Sequence, residues 1–95
     1  MADRIVWTES AWQELESAAE YIARDSPRYA SALIDEARFA ARSLERFPSR
    51  GRVVPELNES AIREIFVKQY RLIYEIRPDQ VVILAFLHGA RLFPS

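Results

Sequence analysis

The apolar positions of this 95-residue chain switch period as the sequence runs from start to end. Arg4-Ile5-Val6-Trp7 is a short β-prone run. From Ala11 the period becomes helical, with Ala11, Leu15, Ala18, Ala19 and Ile22 on one stripe and Glu14, Glu16 and Glu20 largely off it. Thr8 or Ser10 can cap the first free amides of this helix, with Gln13 at capping-box spacing from Ser10. Arg24-Asp25 closes it. Ser26-Pro27 opens a second helix, with serine as N-cap and proline in the first turn, where its missing N–H costs nothing. Ala30, Leu33, Ala37, Ala41 and Leu44 form the regular stripe of that helix, which Phe47-Pro48 ends. The link between the helices is very short, so they are expected to lie antiparallel as a hairpin, with small alanines allowing close approach.

An irregular connector, Arg50 to Glu56, separates the helices from a stretch of period two. Strands are predicted at Ile62–Val67, Tyr70–Arg77 and Val81–Leu87, joined by Lys68-Gln69 and by Pro78-Asp79, the latter suited to the centre of a type I turn. The expected fold class is α+β: an N-terminal strand, an antiparallel helix hairpin, then a three-stranded antiparallel meander, in one domain over residues 1–95. Arg4–Trp7 can pair at either edge of that sheet.

Two-residue connections set a register in which Val67 opposes Tyr70, Arg63 opposes Tyr74, Tyr74 opposes Ile83 and Tyr70 opposes Leu87. One face then carries Ile65, Val67, Tyr70, Leu72, Tyr74, Ile76, Val81, Ile83, Ala85 and Leu87, and is the natural partner of the helices. The other carries Glu64, Phe66, Arg71, Ile73, Glu75, Val82, Leu84, Phe86 and His88. On this reading Phe66, Arg71, Phe86 and His88 cluster near one end, with Arg91 just beyond the strand. A guanidinium among aromatic rings suits phosphate binding and base stacking, and equally an ordinary cation–π contact under a loop. An inward-leaning Arg71 paired with Glu64 or Glu75 is a third reading. Large apolar residues on a face without helices imply a cover, such as a partner chain.

Composition narrows the class. Nearly half the residues are hydrophobic, which excludes a disordered tail, and no apolar stretch approaches the roughly 20 residues that span a bilayer. There is no cysteine and a single histidine, so neither a disulfide scaffold nor a structural zinc site is expected, and no metal or cofactor is assigned. A cytoplasmic protein without membrane contact is the expectation. The net charge of −1 hides an asymmetry: six arginines face nine acids in residues 1–49, while seven basic residues face five acids from residue 50 onward. That permits an anionic partner without requiring one.

The order of elements, with Tyr70-Arg71-Leu72-Ile73-Tyr74 and His88-Gly89-Ala90-Arg91, resembles the RelE/ParE superfamily of type II toxins, the toxin halves of bacterial toxin–antitoxin modules. The resemblance covers essentially the whole chain, with specific motifs from about Val53 onward. It implies a cognate antitoxin as partner, in a homodimer or a toxin–antitoxin hetero-oligomer, and one of two mechanisms. ParE-like members are thought to inhibit DNA gyrase by binding. RelE-like members cut mRNA in the ribosome. A third reading is a family member that has lost toxicity and only pairs with its antitoxin. Under the binding reading, Arg63, Phe66, Arg71, Phe86, His88 and Arg91 are the target- or partner-binding residues. Under the nuclease reading, Arg71 matches the arginine on the scissile phosphate and Arg91 the arginine after the last strand. Glu56 matches the general base of glutamate-using members, and His88 is an acid–base candidate by its ordinary pKa. Arg63-Glu64-Ile65 stands where nucleases usually carry lysines, and no tyrosine follows Arg91. These departures favour the ParE-like branch.

Overall fold

The computed structural model describes residues 4–94. The elements are β1 (Arg4–Trp7), α1 (Glu9–Ala23), α2 (Pro27–Ser43), a 3-10 turn (Pro48–Arg50), β2 (Arg52–Val53), β3 (Ile62–Val67), β4 (Tyr70–Ile76) and β5 (Gln80–His88). They build one five-stranded sheet in the order β1-β5-β4-β3-β2, with the helix hairpin on one face: α1 packs on β5 and α2 on β3. The edge choice that sequence left open is settled: β1 pairs parallel to β5, from Arg4 opposite Gln80 to Trp7 opposite Ile83.

Local chemistry accounts for the boundaries. Thr8 is the N-cap of α1, its hydroxyl accepting from the Ala11 amide at 3.1 Å while donating to the Ile83 carbonyl at 2.9 Å. One side chain thus ends β1 against β5 and starts a helix. Ser26 caps α2 through the Tyr29 amide, with Pro27 in the first turn. Between β3 and β4, Lys68 adopts a left-handed φ of 54°, uncommon for a residue with a side chain. Its ammonium lies over the Tyr29 ring and 3.3 Å from Glu36, so α2 holds the tip of this turn.

From the two predicted helix stripes Ala11, Leu15, Leu33, Ala37, Ala41 and Leu44 are buried and, with Ile65, Val67, Leu72, Tyr74, Val81 and Ile83, form the main core, against which Ala18 and Ile22 pack half-buried. The expected β3–β4 register holds from Val67–Tyr70 to Arg63–Tyr74, as does the Tyr74–Ile83 pairing. The β4–β5 register holds only from Ile76 to Tyr74. Ile73 opposes Ala85, so Leu84 is an extra residue on β5 and a β-bulge interrupts the ladder. Beyond it Tyr70 opposes His88 instead of Leu87. The bulge reverses the alternation, so Phe86 joins the helix-side core while Ala85 and Leu87 turn to the other face.

That other face is covered by the chain itself. Val54 and Leu57 from the connector and Phe93 from the C-terminal segment pack on Ile73, Ala85 and Leu87 in a second small core. The partner chain expected over this face is therefore not needed for it. The connector also holds the short edge strand β2, absent from the sequence reading.

Candidate functional site

The expected cluster of Phe66, Arg71, Phe86 and His88 is split by the bulge across the two faces of the sheet. Phe66 and Arg71 lie on the helix-free face. Phe86 and His88 lie on the helix side, next to Tyr70.

On the helix-free face, Arg71 projects from β4 with its side chain only 5% exposed. Its Nε donates to Glu64 Oε1 at 2.6 Å. Nη1 donates to Glu56 Oε2 at 2.7 Å and to the Arg91 carbonyl at 2.7 Å, and Nη2 to Glu56 Oε1 at 2.9 Å. Four of the five guanidinium N–H groups are thereby used, two in the bidentate fork that makes Arg–carboxylate pairs directional. Glu64, fully buried on β3, gives its second oxygen to Arg52 Nε at 2.6 Å. Glu56 Oε2 also accepts the Phe93 amide at 2.9 Å. Two arginines and two glutamates neutralise one another, and the pair at the centre, Arg71 and Glu64, is buried and so needs its partners.

The hydrogen bonds from Arg71, then the Phe93 amide, bring the Glu56 carboxyl down to about 2. The same carboxylate raises Arg71 above its ordinary range. A carboxylate held this low and forked on arginine is a poor general base at neutral pH. The cluster acts as a clamp: it ties the connector at Glu56 and the C-terminal segment at Arg91 and Phe93 to the sheet. Phe66 stands exposed beside it, with the Arg52 guanidinium 5.6 Å from its ring centroid. Arg63 serves the connector too, donating to the Ser60 and Gly51 carbonyls.

On the helix side, a cleft of about 520 Å³ opens between α1 and the end of β5, with Glu14, Tyr21, Tyr70, Phe86, His88 and Arg91 among its lining residues. β1 stops at Trp7 opposite Ile83, so the outer edge of β5 is unpaired beyond that point. Glu14 fills the gap by accepting the Phe86 amide at 2.9 Å. Tyr70 stacks on Phe86 at 5.1 Å and meets His88 edge-on at 5.7 Å. His88 Nδ1 accepts from the Ala90 amide at 3.3 Å, and the ring is exposed. The cleft pairs aromatic surface with one imidazole, one carboxylate and the exposed Arg91, a combination suited to gripping a macromolecular surface.

Sequence reasoning missed Glu14, Tyr70 and Arg52 as site residues. Glu14 carries no local signal, because its partner amide lies 72 residues away. Tyr70 was assigned to core, and the bulge places it beside His88. Glu64 was legible as a partner of Arg71. No group of His, Asp or Glu among the described residues could hold a metal ion, and no helix of the described residues is long and apolar enough to cross a membrane.

A five-stranded sheet backed by one helix hairpin is an α+β toxin fold, shared with solved toxin–antitoxin structures. The chromosomal ParDE system of P. aeruginosa superposes with a TM-score of 0.74 over 92% of this chain and 96% of that one, at 14% identity, a likeness of fold alone. The RelBE2 toxin–antitoxin complex of Mycobacterium tuberculosis matches at 26% identity with a TM-score of 0.62, covering 96% and 95% of the two chains. The chain is also 33% identical over 90 residues to Toxin RelE2 of Caulobacter vibrioides, covering 94% of this chain and 98% of that protein. Residues 5–93 match the family described as ParE toxin of type II toxin–antitoxin system, parDE. The chain belongs to that family, within the RelE/ParE superfamily.

Proposed function

We propose that this toxin acts by binding and without catalysis, that its target is DNA gyrase, and that a cognate antitoxin neutralises it. The observation that carries this reading is the Arg71 clamp. A nuclease needs a free cation for the scissile phosphate and a base for the 2′-hydroxyl. Here the arginine has spent four of its five donors on the protein's own carboxylates and carbonyl, and the glutamate is the carboxylate it holds. The match to the ParE family over nearly the whole chain supports the same branch. Exposed Tyr21 and Phe39 on the helix hairpin are apolar surface of the kind a bound antitoxin covers.

Ribosome-dependent mRNA cleavage is the second reading. The RelE2 name of the Caulobacter relative favours it, as does the His88–Arg91 cleft, which offers one acid–base group and one cation. It lacks a second cation, and Glu14 stands in the same cleft.

Purified toxin added to gyrase and relaxed plasmid is expected to block supercoiling, while mRNA in a translating ribosome stays intact. Cells expressing the toxin alone are expected to filament and accumulate DNA damage. Cleavage of ribosome-bound mRNA with gyrase unaffected would overturn the binding reading.

A further inference from the structure

Every fourth residue from Arg38 to Arg50 is an arginine, along the later turns of α2 and into the 3-10 turn that follows. Arg52, Arg71 and Arg77 are paired with glutamates, but among the described residues none of these four is in an ion pair. Neutral groups hold two of them instead: the Arg46 guanidinium lies 5.9 Å from the Phe47 ring centroid, and Arg50 donates to the Ser43 hydroxyl. Such partners fix a side chain without cancelling its charge. Arg38 and Arg42, one turn apart on one helix face, line a cleft of about 500 Å³, and Arg46 and Arg50 line another of about 590 Å³. The two clefts meet at the end of α2, with Arg42 in one and Ser43 in the other. Residues 38–50 hold four arginines and one glutamate, Glu45, a balance of +3 in a chain whose net charge is −1. The opposite holds for α1, which carries Glu9, Glu14, Glu16 and Glu20 and no basic residue.

We propose that this row of arginines docks on the phosphate backbone of duplex DNA. A duplex presents its charges at short regular intervals, and exposed guanidiniums repeating every fourth residue match that pattern. Each guanidinium offers a planar fork that fits two phosphate oxygens at once. Contacts of this kind position a protein without reading base edges, so docking is independent of DNA sequence. The isolated toxin binds DNA weakly, because the chain is net negative and four contacts are few. A toxin already seated on an enzyme that holds DNA meets the backbone at high effective concentration, where weak contacts lengthen its stay. The inference deepens the gyrase reading and rests on it for the source of the DNA. The contact itself belongs to this face and is measurable without gyrase.

A fluorescently labelled DNA duplex titrated with the full chain at about 50 mM salt is expected to gain anisotropy saturably, equally for unrelated sequences. Four contacts at about −0.9 each give an expected slope of about −3.6 for log affinity against log salt. An Arg38→Glu, Arg42→Glu double variant, both sites being exposed, is expected to bind at least about tenfold more weakly, with a slope shallower by about 2 and an unchanged thermal midpoint. Arg38→Gln, Arg42→Gln, which adds no acid, is expected to move both in the same direction. Arg24→Glu, Arg28→Glu makes the same change of net charge at other exposed sites and is expected to bind within about twofold of the native chain. With DNA absent, the Arg38→Glu, Arg42→Glu variant is expected to bind gyrase as the native chain does. With DNA present, it is expected to need about tenfold more protein to block supercoiling. The proposal is overturned by unchanged anisotropy at low salt, by equal weakening in the Arg24→Glu, Arg28→Glu variant, or by full potency of the Arg38→Glu, Arg42→Glu variant on gyrase. Tighter binding of an RNA hairpin, an anionic vesicle or a Glu-rich peptide than of the duplex overturns it as well. Supercoiling untouched by the native chain overturns the gyrase reading instead, and the duplex titration still decides the docking face.

Discussion

Arg71 is the residue that the resemblance to the superfamily marks for phosphate contact, yet its guanidinium is folded into the protein's own structure. Whether a side chain reads as catalytic or structural depends here on its neighbours: Glu64 lies directly beside it, and Glu56 arrives from a loop 15 residues away. Glu64 was visible as a partner because strand alternation sets it on the same face. The bidentate hold on Glu56 was not, because it needs the connector to fold back over the sheet. The clamp carries a pH signature. Glu56 drops from 4.5 to about 2 on folding, so its contribution is complete above pH 4.5 and fades as pH falls toward 2. Urea midpoints measured between pH 5 and pH 2 are expected to fall for the native chain. In Glu56→Gln the fall should be shallower; an equally steep one would remove Glu56 from the account.

At the scale of elements, two devices place the site residues, and neither is a strand or helix in itself. The first is the bulge at Leu84, which moves Phe86 and His88 to the helix side and separates them from Arg71. Two-residue turns and alternation were read correctly from the sequence. A single inserted residue undid the alternation beyond it, and no glycine marks the place. The second device is the close approach of the connector to β3 at Gly51. A Cβ there would lie 2.5 Å from the Glu64 carbonyl oxygen and 2.6 Å from the Tyr74 hydroxyl. That hydroxyl accepts the Gly51 amide at 3.0 Å and donates to the Pro48 carbonyl at 2.7 Å, which anchors the turn ahead of β2. Gly51→Ala is therefore expected to cost about 2 kcal/mol or more, because backbone must shift to relieve the overlap. Equilibrium urea unfolding would measure it, and a loss within error of zero would mean that β2 is free to move aside.

Across the whole molecule, stability is expected to concentrate in the strand that both cores share. β4 is central in the sheet: Leu72 and Tyr74 face the helices, while Ile73 faces the second core, all fully buried. β1 and β2 are short edge strands. In native-state hydrogen exchange the amides of Leu72, Ile73 and Tyr74 should be among the slowest, and those of Arg52 and Val53 much faster. Equal protection of β2 and β4 would contradict this layering. Element type, helix pairing and the main core were legible in the residues alone, because each rests on short-range periodicity and capping chemistry within a few positions. The superfamily was legible for the same reason, through local motifs. Four other features rested on contacts between distant segments: the edge taken by β1, the bulge in β5, the connector laid over the second face, and the Arg71 clamp. Such contacts form only when packing brings together residues between 7 and 76 positions apart. For that reason the sequence alone could name Arg71, His88 and Arg91, but the folded chain was needed to show Arg71 bonded to the Arg91 carbonyl while His88 lies on the helix side of the sheet.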